Sequence, residues 1–341
     1  MGRSVRVQSA VVGLLIGLGC IALLLRQVDL RQSWSTVGRL SGPFLLVPLA
    51  VFFINLPLRA WRWQMIFPSS SRPRIGQCLT VLGIANMANF LLPGRAGDIS
   101  RCVLLGNENS LAESSRTLAT LAVEKVLDGL ALVGMVLFSL WALRPPHWVL
   151  EILRVAILIF GGALILLLIV RYKTRLLIRY VRSGFQVVHL SFLEQKFDGI
   201  LTSFADGLNA VSSAPQMFTL LVLTSVIWTT EAGLIWGLAG ALGLSVSMKS
   251  AVVASAVLGL GLMIPAAPGG LGTYELFGTE AFQLAGIAAS RALALTVVIH
   301  AWVYVANIAV GILLLAVKGL SLAQLKNRLE VSTGSTVQHS S

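Results

Sequence analysis

The chain has 341 residues, 56% of them hydrophobic and only 12% charged, with a mean hydropathy of +0.84. Soluble domains carry about 25% charged residues, so this composition excludes a soluble enzyme and requires that most of the surface face lipid. The formal net charge of +12 comes from 26 Lys+Arg against 14 Asp+Glu. Those basic residues gather in short loops, as positive-inside sorting demands, and with no basic helix or stacking platform no nucleic-acid partner is expected.

Arg3 and Arg6 precede an apolar run over 11–25 that is followed by Arg26, not by a small-x-small cleavage site, so a retained first span is expected over 7–25. Further spans of about 20 apolar residues are predicted over 44–66, 117–143, 152–170, 217–242 and 291–317. Two other apolar segments, 76–105 and 250–285, carry Pro-Gly clusters near their middles: Pro93, Gly94 and Gly97 in the first, Pro268, Gly269, Gly270 and Gly272 in the second. Proline breaks the helical ladder and glycine opens otherwise forbidden backbone angles. A helix broken this way is tolerated only where protein or water surrounds it, which predicts two re-entrant hairpins.

Pro93 and Pro268 lie 175 residues apart, and the same offset places 44–66 on 219–241 and 117–143 on 292–318. The chain is therefore expected to be an all-α integral membrane protein of six transmembrane helices and two re-entrant hairpins in an inverted repeat. The first repeat covers 1–143 and the second 144–320, with a cytoplasmic amphipathic insertion over 171–216 and a polar, disordered tail over 321–341. With re-entrant hairpins, Lys and Arg divide 15 cytoplasmic to 7 external, leaving Arg59, Arg62, Arg95 and Lys125 in the membrane; with hairpins that cross fully the split is 12 to 10. The first arrangement fits positive-inside sorting better and puts both termini in the cytoplasm of a cell-membrane protein. Broken helices meeting in inverted repeats recur in transporters.

Charges inside a bilayer are rare and mark candidate sites. Arg59 and Arg62, three apart, share a helix face and either bind an anionic ligand or snorkel to the interface. Asn86, Asn89, Arg95, Asp98 and Arg101 on the first hairpin offer amides and bidentate arginine contacts to a phosphate, or Asp98 simply pairs with the arginines. Glu124 and Asp128, four apart on one face with Lys125 pointing elsewhere, suit a proton relay or ion pairs with Arg59, Arg95 or Arg101. Glu231, Glu275, Glu280 and His300 are the polar inventory of the second half, where a packed structural histidine is the plain alternative for His300. Cys20, Cys78 and Cys102 are isolated, so no metal, redox chemistry or cofactor is expected. No Walker loop, GxSxG or HExxH occurs, so the chain is expected not to be an enzyme.

Four strings, LPLRAWRW (56–63), NFLLPGRAGDISR (89–101), EKVLDG (124–129) and PAAPGGLGTYE (265–275), occur in an order that resembles the lysylphosphatidylglycerol synthase transmembrane-region, or flippase-like domain, family over about residues 10–320. The resemblance implies a flippase-like protein that binds and translocates an anionic or polyprenyl-phosphate-linked lipid without ATP, as a stand-alone member without the aminoacyl transferase domain. It implies a membrane lipid as substrate and a lipid-biosynthesis enzyme as partner. An accessory or intramembrane enzyme of lipid or glycolipid synthesis is the alternative.

Overall fold

A computed structural model describes residues 15–26, 28–92, 96–105, 111–140, 147–187, 194–209, 213–262 and 267–319. Among them every regular element is helical. The tail over 321–341, residues 7–14 of the first span, and Pro93, Gly94 and Arg95 lie outside the described residues.

The chain opens with α1 (Leu15–Leu25) and a short α2 (Leu30–Val37). Asp29 caps α2 by accepting from the Arg31 and Gln32 N–H groups, which satisfies two of the donors a helix start leaves unpaired. α2 packs on the start of α12, where Ser33 Oγ donates to Ser290 O at 2.9 Å. Then come α3 (Leu46–Ile66), α4 (Ile75–Leu91), α5 (Ala96–Leu105) and α6 (Leu111–Leu140). The second half runs α7 (His147–Val187), α8 (Glu194–Asn209), α9 (Ala214–Ala241), α10 (Met248–Gly261), α11 (Thr273–Leu284) and α12 (Ala289–Val317).

Three helices, within His147–Tyr180, Ala214–Ala241 and Ala289–Val317, are long and apolar enough to cross a bilayer by length and composition alone. α7 and α12 present Leu158, Ile165, Leu166, Val305 and Leu313 outward, an apolar surface suited to lipid and not to water. α3 and α6 are long but carry buried charges, so composition alone does not pick them out. α4, α5, α10 and α11 are each shorter than the roughly 20 residues a span needs. α4 packs on α5 and α10 on α11, so each Pro-Gly cluster joins two short helices that lie together.

The expected boundary at 171 is absent. α7 continues through it with a kink at Lys173 (φ −120°, ψ 20°), beside which the Thr174 hydroxyl donates to Val170 O, a back-bond that bends helices. Beyond it, α8 packs along α6 and α7. Gly207 permits this: a Cβ there would sit 2.7 Å from Ala119 Cβ.

The largest buried cluster joins α9, α10, α11 and α12 around Leu238, Val257, Phe282 and Leu295. A second holds Trp63 of α3 against α4 and α6, with Trp63 Nε1 donating to Thr120 Oγ1 at 3.0 Å. The polar residues described next lie between these two clusters.

Candidate functional site

Asn89, near the end of α4, positions the start of α5. Its Oδ1 accepts from the Asp98 N–H at 3.2 Å, and its Nδ2 lies 3.3 Å from Asp98 Oδ1. That exchange needs α5 close against α4, and Gly97 allows it, since a Cβ there would meet Ala85 O at 1.9 Å. Asp98 and Arg101 are thereby turned toward α6.

On α6 both carboxylates are buried among arginines. Arg62 of α3 is fully buried and takes Asp128 with both terminal nitrogens, Nη1–Oδ1 at 2.6 Å and Nη2–Oδ2 at 3.2 Å. It also donates to Thr224 Oγ1 at 3.1 Å and lies 3.5 Å from Glu124 Oε1. Arg101 donates to the other Glu124 oxygen at 2.9 Å. Removing an ion from water costs several kcal/mol unless good geometry compensates, and the forked guanidinium supplies that geometry. Trp228 Nε1 completes the shell of Asp128 at 3.1 Å.

Arg62 is therefore neither a snorkelling residue nor a cavity residue: it sits behind the wall, spent on Asp128, Glu124 and Thr224. Arg59, one turn earlier, does reach the cavity. It donates to Asn55 Oδ1 at 2.6 Å and to Glu231 Oε1 at 2.9 Å, with Trp228 facing its guanidinium. Lys125 also faces the cavity, against the expectation from its position beside Glu124, and pairs with Asp98 Oδ2 at 3.3 Å. The cavity wraps far enough round α6 to take Glu124, Lys125 and Asp128 together.

This cavity has a volume of ≈ 360 Å³. One wall carries the charges named above; Asn86, Asn89 and Asn307 add amides; Pro268, Gly269 and Gly270 of the second loop form part of the opposite wall. Among the described wall and backing residues, Arg59, Arg62, Arg101 and Lys125 balance Asp98, Glu124, Asp128 and Glu231. Phe52, Leu56, Phe90 and Leu234 supply apolar surface beside them.

The second loop is held from α12. Gly269, Gly270 and Gly272 all have positive φ, the region that only glycine enters freely. A Cβ on Gly269 would lie 2.1 Å from the Tyr304 hydroxyl. That hydroxyl lies 3.0 Å from Pro268 O and 3.3 Å from Phe90 O, so its one proton is shared between the second loop and the end of α4. Tyr304→Phe is expected to cost about 1 kcal/mol and to raise proteolytic nicking at the second loop, read by mass spectrometry of a limited digest. His300 and Glu275 lie behind the loop, bonded to one another and to loop atoms, not in the charged wall.

Sequence reasoning passed over Asn55, Trp228, Tyr304 and Asn307. Only the polar run Thr229, Thr230, Glu231 within an otherwise apolar helix offered a signal for α9; Tyr304 and Asn307 lie in a helix whose composition marks nothing.

In comparisons with known proteins, a glycosyltransferase AglD from Haloferax volcanii is 25% identical over 335 residues, covering 88% of this chain and 53% of that protein. The chain thus spans about half the length of the curated relative it matches. That name corrects the expectation that the chain is not an enzyme, because it points to an enzymatic role in this group of proteins. No solved structure matches. The helices and the relatives together mark an integral membrane protein of lipid or glycolipid pathways. The family model for the lysylphosphatidylglycerol synthase TM region matches residues 10–330, and the chain belongs to that family.

Proposed function

We propose that the chain binds the phosphate of an anionic or polyprenyl-linked lipid in this cavity and carries the headgroup across the cell membrane, in concert with a lipid-biosynthesis enzyme. The observation that carries the reading is a charge-lined cavity set in an apolar frame, in which Arg59, Lys125 and Arg101 line the wall and Arg62 is sealed behind it. An incoming phosphate exchanges with Glu231 on Arg59 and with Asp98 on Lys125, so each cation trades one anion for another and none is left bare.

The translocation part rests on an inverted repeat of residues 1–143 and 144–320, with six crossings, two re-entrant hairpins and cytoplasmic termini. Several packing observations support it. α3 and α9 cross antiparallel: Val47 lies against Gly237, Val51 against Gly233, and Asn55 Nδ2 donates to Thr230 Oγ1 at 2.7 Å. Asn55 and Thr230 are 175 residues apart, the offset that separates Pro93 from Pro268. A residue meets its own counterpart only on a two-fold axis, and an axis that exchanges antiparallel helices lies across them, in the membrane plane when they span. The other contacts exchange in the same way: α4 on α12 with α10 on α6, and α2 on α12 with α8 on α6.

Proteoliposomes holding an acyl-labelled anionic phospholipid test this. Wild type is expected to expose inner-leaflet probe to an impermeant quencher. Arg59→Gln/Lys125→Gln is expected to slow that exposure at least about tenfold, as loss of charge-assisted contacts implies. Equal rates refute the cavity as the lipid path.

The name of the Haloferax relative favours a second reading, in which the cavity presents its lipid to a sugar-transfer step. Product formed from a polyprenyl phosphate and an activated sugar donor by the purified chain separates the two.

A further inference from the structure

Behind the second loop lies a pair of ionisable groups that the lipid reading does not use. His300 is buried, and both ring nitrogens face acceptors: Nδ1 lies 2.5 Å from Glu275 Oε1, and Nε2 lies 3.0 Å from Gly269 O. A carbonyl oxygen only accepts, so Nε2 carries a proton. The Nδ1···Oε1 contact then requires a second proton, resting on either atom. The other Glu275 oxygen is already taken, accepting from the Gly272 N–H at 2.7 Å. The pair therefore holds one proton more than a neutral imidazole facing a carboxylate. Without it, the imidazole has one N–H for two acceptors, and either Glu275 Oε1 or Gly269 O is left facing a ring lone pair in a buried place.

The partners of the pair give that proton a mechanical role. Through Gly269 and Gly272 it ties α12 and α11 to both ends of the loop whose Gly269 and Gly270 line the cavity. Tyr274 of α11 stacks on the imidazole with ring centroids 4.2 Å apart, and Tyr304 of α12 meets it edge-on at 5.1 Å. Cys20 of α1 and Glu231 of α9 are the other ionisable groups within electrostatic reach of Glu275 or Tyr274. None of these is a cation, so among the described residues the proton shared with His300 is what balances Glu275.

We infer that His300 and Glu275 form a proton-binding site that latches the second loop against α12 while the proton is held and frees it when the proton leaves. The release is a simple transfer: the Nε2–H bond breaks, a cavity water takes the proton, and no electrons change hands. Neutral His300 and the Glu275 carboxylate remain; the one ring proton stays on Nδ1 with the carboxylate, Nε2 turns a lone pair on Gly269 O, and the segment from Gly269 to Gly272 moves off. This deepens the transport reading by naming the proton as the coupled ion, and it rests on that reading only for the cargo.

The test uses the full chain in nanodiscs of phosphatidylglycerol and phosphatidylethanolamine, with Cys20, Cys78 and Cys102 replaced by Ala and Ala267→Cys as reporter. Ala267 is 7% exposed at the base of the loop. Labelling by a water-soluble maleimide, normalised to an exposed Ser70→Cys control to remove intrinsic thiol ionisation, is expected to rise about ten- to a hundredfold through one single-proton transition as pH increases. Proton NMR is expected to show a far-downfield bridging proton that moves upfield over the same pH range. His300→Gln and Glu275→Gln should each abolish that signal and leave normalised labelling flat with pH. Normalised labelling that is flat in the otherwise wild-type reporter, or a bridging proton whose shift is unchanged after labelling has risen, overturns the proposal. Both decisive curves come from the chain with the pair intact, so they decide the matter even if a variant misfolds. A chain that shows this transition yet fails the proteoliposome assay refutes the lipid path and leaves the latch standing.

Discussion

Asp128→Ala is expected to destabilise the chain by about 3–5 kcal/mol, the cost of leaving a buried charge without its partner. Arg62 is fully buried, and Asp128 engages both of its terminal nitrogens. Glu124 keeps Oε2 on Arg101 and offers Arg62 only Oε1 at 3.5 Å, so it replaces neither of the two short contacts to Asp128. The loss is read as a lowered thermal midpoint and early aggregation in detergent. Arg62→Met/Asp128→Leu is expected to recover most of the loss, because replacing both members removes the buried charge and the need for a partner together. A double variant no more stable than Asp128→Ala contradicts this account of the wall.

Gly97→Ala is expected to be nearly as damaging, at about 3 kcal/mol. Its new Cβ meets Ala85 O, a backbone atom of α4, at 1.9 Å, and the Asn89 amide oxygen at 2.6 Å. A backbone atom in a packed helix cannot swing aside, so α5 must move off α4. That movement breaks the paired bonds between Asn89 and Asp98 and takes Asp98 from Lys125. Gly134→Ala on α6 is the control: nothing lies within 4 Å of its Cβ, and alanine favours the helix by up to about 1 kcal/mol. A loss at Gly134 comparable to that at Gly97 would contradict close approach as the cause.

The charge-bearing helices were legible in the sequence because a charge in an apolar run has few harmless explanations. Arg59, Arg101, Glu124 and Asp128 meet at one wall, and the Pro268–Gly272 cluster forms a loop with three positive-φ glycines beside it. What spacing could not give was depth. Arg59 and Arg62 share a face, yet one opens to the cavity and the other is sealed behind it, because α9 brings Thr224 over Arg62 and Glu231 over Arg59. Lys125 was misread for a related reason: a helical wheel separates it from Glu124 by about 100°, and the cavity is broader than that. Hydropathy also ended α7 at its first basic residues, although nothing there stops a helix; the chain bends at Lys173 and goes on. The glycosyltransferase name of the Haloferax relative came from comparison and not from any motif in the sequence.

The most direct test of the lipid-binding cavity is mass spectrometry of lipids retained by the chain after purification in mild detergent, with wild type beside Arg59→Gln/Lys125→Gln. The account predicts a specific anionic phospholipid or polyprenyl phosphate on the wild type and its loss from the variant, in a protein that still elutes as a single species. Bulk membrane lipids alone, in the same proportions on both, would contradict it.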